Sequence, residues 1–315
     1  MANVRRFFRY DVEIPILLQT QEQFERQLEQ LQKEIVSSKD EMRIKTIDAE
    51  VEQILKQMEN QGSQSLTLFH TFNQRLNFMH WLLEHYLQLT DPREATDFNY
   101  RLRMDKHHNP PQMNQSNKLL ILMQNFYAQI DELIHELIQV AQTSIDGRLF
   151  IFSPTPRRHF KAEDFIKNLN LVAKKGILPA QLMLLIIEKY NLLVDVFNRL
   201  KEKFYKISSI KNWPKLEVNL SAGGCSFKTN ERYEKFTRFN IFMQLNDKII
   251  APKGRIVMVR RIKDPNFQYQ VGIEFEFIPV DAQKTITYFI QLHELRDAYN
   301  AYPKVQISQN TFAHP

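Results

Sequence analysis

The sequence predicts an α+β chain: a long-helix segment and a small antiparallel β module. Two observations carry this. Apolar residues recur at helical spacing for almost two hundred residues after position 20, and the period then changes to that of short strands at Trp213-Pro214. A third concerns charge. Between Ile210 and Lys263 there are twelve Lys/Arg and four Asp/Glu, against a net charge of +6 for the whole chain. The basic module suggests an anionic partner, a nucleotide, a nucleic acid or an acidic protein face, the alternative being a solvated basic surface.

The first element is a strand over Arg5 to Leu18. Phe8, Tyr10, Val12 and Ile14 alternate with Arg9, Asp11 and Glu13, and Pro15 marks an edge or the end of regular pairing. Gln21 to Gln61 follows as polar helix with narrow seams. One is Phe24, Leu28, Leu31 and Ile35, the other Ile44, Ile47, Val51, Ile54 and Met58. Both have coiled-coil spacing, and they fall out of phase across Ser37-Ser38-Lys39-Asp40, where the helix breaks or the winding changes. Seams this narrow predict a partner helix from another copy. Leu66 to Leu89 is a helix with a broad apolar face: Leu68, Phe69, Phe72, Leu76, Met79, Leu83 and Tyr86. Thr90 to Asn117 reads as a long polar loop. Lys118 to Thr143 and Leu178 to Ile207 are apolar helices, joined by a Pro154/Pro156 loop and a short helix near Ala162 to Ala173. These faces suit a bundle, in which each Met and aromatic is core.

After Trp213 the strands are Leu216 to Val218, Phe239 to Leu245, Gly254 to Arg261 and Gln268 to Phe277, with turns at Asn246-Asp247, Pro252 and Asp264-Pro265-Asn266. This spacing predicts a small barrel or sandwich. Thr285 to Ala298 reads as a closing helix, and the last fifteen or so residues as a tail.

Two segments carry the chemistry: Arg5-Arg6-Phe7-Phe8-Arg9, an RxxxR spacing at the start of a strand, and Asn219-Leu220-Ser221-Ala222-Gly223-Gly224, an NxSxxG pattern directly after one. A third, Val271-Gly272-Ile273-Glu274-Phe275, lies on a later strand. A chain of this length holds on the order of 0.1 NxSxxG matches by chance; the order of the three motifs adds the specificity. Together they resemble the PilZ domain family, over roughly residues 4–18 and 213–298.

The resemblance implies a six-stranded antiparallel barrel, split so that residues 1–18 supply its first strand and the RxxxR arm. Residues 19–210 are then a helical insertion, 211–300 the rest of the barrel with its closing helix, and 301–315 the tail. It implies a non-enzymatic receptor for cyclic di-GMP, with outputs such as motility, surface attachment, exopolysaccharide or virulence. In the implied site Arg5 and Arg9 grip phosphate and guanine, as guanidinium groups can. Asn219 meets a guanine edge, Ser221 stiffens the turn, and Gly223 and Gly224 let the backbone approach the ligand. Arg6 is an extra cation beside them. The large departure from the family is the insertion: Arg5 and Arg9 face Asn219 only if the first strand returns to the barrel. If it does not, the alternative is a non-binding adaptor acting through its helices. Binding of nucleic acid by the basic, aromatic stretch Arg232 to Phe239 is a third reading.

Other signals are weak. His107-His108 lacks a ligand set, so no metal or cofactor is expected beyond the nucleotide. The lone Cys225 excludes an internal disulfide and reads as a small buried residue. No nucleotide-hydrolase or nucleophile-elbow motif is present. Met1 to Leu18 is unlike a signal peptide, and the longest apolar run, Leu182 to Ile187, is far below a membrane span, so a cytoplasmic location is expected. The long helices predict a homo-oligomer.

Overall fold

In the first strand, alternation decides which way each side chain points. Ile14 and Ile16 are buried, Tyr10 and Val12 are half-buried, and Arg9, Asp11 and Glu13 are exposed. Phe8, expected on the inward side, is 85% exposed, because it precedes the first paired residue. This is a computed structural model that describes residues 8–62, 65–112 and 118–301. The chain divides into two units, Met1–Gln23 with Trp213–Pro315, and Phe24–Asn212.

The first unit is an antiparallel barrel of β1 (Arg9–Thr20), β2 (Lys215–Ser221), β3 (Gly224–Thr229), β4 (Arg238–Leu245), β6 (Lys253–Arg261) and β7 (Tyr269–Phe277). The circuit runs β1-β2-β3-β7-β6-β4 and closes through a β4–β1 pairing. A short β5 (Lys248–Ile250) extends from β4 as a hairpin. Closure depends on β1 serving two neighbours. Arg9 to Pro15 pair with β2, and Ile16 to Thr20 pair with β4. The strand does not end at Pro15. Proline has no N–H to give a ladder, so it fits the point where β1 leaves one partner for the other. Ile16 N–H immediately resumes by donating to the Pro214 carbonyl at 3.0 Å. Ile14, Ile16, Leu220, Ile241, Ile256, Val271 and Ile273 fill the interior. Helix α8 (Val280–Ala301) closes it with Ile286, Phe289 and Ile290, and Tyr10 donates its hydroxyl to the Asp297 carboxylate.

The second unit contains α1 (Gln21–Ile35), α2 (Ser38–Asn60), α3 (Leu66–Leu87), α4 (Phe98–Lys106), α5 (Lys118–Thr143), α6 (Glu163–Ala173) and α7 (Leu178–Ser208). The phase break in the seams is a real helix boundary. Ser37 caps α2: its Oγ accepts from Asp40 N–H at 3.1 Å, and the Asp40 carboxylate accepts from Ser37 N–H. The α2 seam is buried within this same unit, and Leu55 takes the inward place expected of Ile54, which is half-buried. Packing against both α3 and α7 widens the seam beyond coiled-coil width, so α2 needs no second copy. Of the α1 seam, Ile35 is buried; the side chains of Phe24, Leu28 and Leu31 lie outside the described residues. Every aromatic named on the α3 face is core, with Phe72, Phe126 and Tyr190 forming edge-on contacts.

The predicted loop from Thr90 to Asn117 holds α4 and a short turn at Pro92–Glu94. The cause is a buried ion pair that periodicity does not register. Arg75 on α3, 2% exposed, donates Nε to Asp105 Oδ1 at 2.9 Å and Nη2 to Asp131 Oδ1 at 2.6 Å. A second cation, Lys189 on α7, is fully buried and donates to Asp48 and Asn77. Burial depresses its pKa below the usual 10.5, and the Asp48 carboxylate only partly opposes that. A lysine held below its unfolded value penalises folding at neutral pH, and the penalty is relieved as pH rises through the folded value toward 10.5. Lys189→Met is therefore expected to compare most favourably with wild type at pH 7. Its stability relative to wild type should decline between pH 7 and 10, measured by urea denaturation at each pH. A pH-independent difference would contradict the assignment.

Candidate functional site

Ser221 and Gly224 face each other across a two-residue hairpin, and Ser221 Oγ donates to the Gly224 carbonyl at 2.9 Å. The Gly223 carbonyl, between them, accepts from Phe275 N–H at 2.9 Å. The hairpin is thus tied to β7 on the segment Val271 to Phe275. Gly224 is pressed against β7 so closely that a Cβ would lie 3.2 Å from the Ile273 carbonyl carbon and nearer still to its oxygen. The missing side chain is demanded by the neighbouring strand, not only by an incoming ligand.

β1 returns to β2 with Arg9 opposite Ser221 and Asp11 opposite Asn219. Arg9 is exposed, and Asn219 lies on the same outer face, one step along the ladder. Asn219 Nδ2 donates to Asp11 Oδ1 at 2.8 Å. Arg5 and Arg6 lie outside the described residues. Sequence reasoning missed Asp11 as a site neighbour, although alternation sets it on the face of Arg9.

A groove of about 740 Å³ runs along this face of β1, β2 and β3. Asp11, Glu13, Glu217 and Asp264 line it with Lys215 and Lys228, so carboxylates outnumber cations. Lys228 is itself paired with Asp264 at 2.7 Å, which holds the Asp264 carboxyl below its usual range. Glu13 and Glu217 are directly opposite and both exposed, a mildly unfavourable pairing. The described part of the arm adds one exposed cation beside this face, Arg9.

Elsewhere the chemistry is quiet. Cys225 is buried in the barrel, and burial pushes its thiol up to about 12, so the neutral thiol prevails at neutral pH. His80 and Glu84 sit 3.7 Å apart, with the histidine depressed by burial. Among the described residues no three His, Cys, Asp or Glu side chains are grouped to hold a metal ion. No described helix is long and apolar enough to cross a membrane.

The described residues thus form a six-stranded antiparallel barrel closed by a helix, with a glycine hairpin beside an arginine-bearing strand. The family model of the PilZ domain matches residues 202–292, and the chain carries a PilZ domain. That match leaves out β1, which the topology joins to it. Two solved structures are similar to parts of the chain. One is the PilZ domain with c-di-GMP of YcgR from Escherichia coli, at 14% identity over 29% of this chain and 82% of that one, with a TM-score of 0.23. The other is a tetrameric PilZ domain from Xanthomonas campestris, self-assembled through a helical bundle, at 15% identity over 46% of this chain and 82% of that one, with a TM-score of 0.24. No curated protein matches the chain.

Proposed function

We propose that this chain is a cytoplasmic, non-enzymatic receptor for cyclic di-GMP, with the nucleotide held between the N-terminal arginine arm and the Asn219–Gly224 hairpin. One observation carries the reading: despite an insertion of nearly two hundred residues, β1 pairs with β2 in a register that sets Arg9 opposite Ser221. Arg5 and Arg9 supply guanidinium groups to phosphate and guanine, with Arg6 beside them. Asn219 offers its amide to a guanine edge, and Ser221, Gly223 and Gly224 shape the turn beneath. The helical unit carries the signal onward and self-associates through the α1 seam of Phe24, Leu28 and Leu31.

A specific observation favours a second reading, a PilZ-type adaptor that no longer binds nucleotide. The groove beside Asn219 is lined by more carboxylates than cations, and the Asn219 amide is already donated to Asp11.

Calorimetric titration with cyclic di-GMP separates the two. The receptor reading expects saturable binding by the full chain and at least a hundredfold weaker binding by Arg9→Ala, about 2.7 kcal/mol. Absence of binding by the wild-type chain leaves the adaptor.

A further inference from the structure

Helix α8 is apolar on two faces, and the barrel covers one. Ile286, Phe289 and Ile290 are buried against the strands. Tyr288, Leu292, Leu295 and Tyr299 are 62%, 37%, 67% and 77% exposed. At 100° per residue these four form one stripe, centred roughly 140° around the helix from the buried three. Scattered exposed apolar residues need no explanation, but four in one line do.

The stripe has two properties that identify its occupant. Its 4-3-4 spacing is that of a coiled-coil seam, which receives another helix and not a broad surface. It is also a palindrome. Tyr-Leu-Leu-Tyr reads the same in both directions, with spacing symmetric about the midpoint between His293 and Glu294. A helix laid antiparallel on an identical stripe therefore meets it in register, with Leu292 against Leu295 of the other copy and Tyr288 against Tyr299. That is the self-complementarity a two-fold interface requires.

We infer that α8 is an association surface for a second copy of this chain, forming an antiparallel two-helix seam. The four side chains expose on the order of 500 Å² per copy, given the 150–250 Å² that an aromatic can bury. The pair then reaches roughly the 1,000 Å² total that a specific interface needs. Gln291 and Ala298 flank the stripe without charge, and the nearest cation, Arg296, faces Gln291 of the other copy in this alignment.

The test is directed disulfide formation in the full chain, whose single native cysteine is buried. Mixing Leu292→Cys and Leu295→Cys variants should give a 292–295 cross-link in high yield. Tyr299→Cys alone should give none, since the two copies of position 299 lie about 16 Å apart along an antiparallel pair. Leu295→Glu should lower the mass measured by light scattering, by loss of the α8 contact, while leaving the circular dichroism unchanged. A strong 299–299 cross-link would mean a parallel pair and overturn the inference. So would a concentration-independent monomer mass for the wild-type chain. Association that survives Leu295→Glu without a 292–295 cross-link would assign it to the helical unit and equally overturn the α8 seam.

Discussion

Gly224→Ala is expected to destabilise the barrel by about 3 kcal/mol or more. The added methyl would meet main chain, not a side chain that can rotate away: 3.2 Å to the Ile273 carbonyl carbon, 3.3 Å to Glu274 Cα, with the Ile273 oxygen nearer than either. Relief requires β3 to move away from β7, and that ladder runs from Gly224 to Thr229 with no slack at its first pair. Reduced freedom of the unfolded chain returns only about 0.4–1 kcal/mol. Gly272→Ala is the natural comparison. There the Cβ meets only the Met258 side chain, its Cβ and its Cε each at 3.3 Å; the Cε can swing away and the Cβ need give only a few tenths of an ångström. Trp213 is buried, with its ring tilted against Phe242 of β4 at 6.5 Å, while the only other tryptophan, Trp81, lies in the helical unit. Denaturant titration followed by Trp213 emission in a Trp81→Phe background isolates the barrel. A loss below 1 kcal/mol for Gly224→Ala would show that the strands open there at little cost.

The second large effect is expected at Asp105. Its carboxylate pairs with Arg75 through Nε at 2.9 Å and Nη2 at 3.3 Å, and both side chains are buried. Burial works against the Arg75 charge; the Asp105 pair, with Asp131 and the Tyr127 ring 4.4 Å from the guanidinium carbon, outweighs it, so the pKa stands above its ordinary value. Asp105→Ala strands that cation with Asp131, whose side chain is 62% exposed. The expected cost is about 3–5 kcal/mol, from an uncompensated buried charge. Adding Arg75→Met should recover much of the loss, because removing both partners removes the desolvation problem with the pair. The measurement is the unfolding midpoint followed by Trp81 emission. An Asp105→Ala protein as stable as wild type would mean water reaches Arg75 freely.

These two residues also mark where the sequence could and could not be read. The ends of α5 and the start of α7 were legible, because Leu, Ile and Phe recur there at helical spacing without interruption. α4 was not: in Phe98 to Lys106 the apolar residues Phe98, Tyr100, Leu102 and Met104 fall at every second position and not at helical spacing, and what fixes it is a long-range pair between Arg75 and Asp105. The strand β3 was hidden for a related reason. Gly224, Ser226 and Thr229 are turn-like residues, yet Cys225 and Phe227 point into the core and Gly224 is required by β7. The motif Asn219–Gly224 was visible as letters, while its setting was not. That Asp11 would hold the Asn219 amide follows only from the register of strands almost two hundred residues apart. The change of partner at Pro15 was likewise invisible, since one proline reads the same at a strand's end and between two ladders.

The split first strand also bears on how the protein is made. Translation delivers β1 first and β2 only after the 194 residues that separate Thr20 from Lys215. At roughly 5–20 residues per second, β1 spends about ten to forty seconds on the ribosome with neither of its partners in existence. Its Ile14 and Ile16 are unshielded for that time, and such a strand is a template for mispairing. Arg9, Asp11 and Glu13, in the half of the strand before them, act as charged gatekeepers while it waits. The helices, built from local contacts, can be complete before any barrel strand after β1 emerges. The face that joins Arg9 to Ser221 is therefore assembled late, and its appearance reports that the chain has been synthesised at least through Ser221, past the whole helical unit.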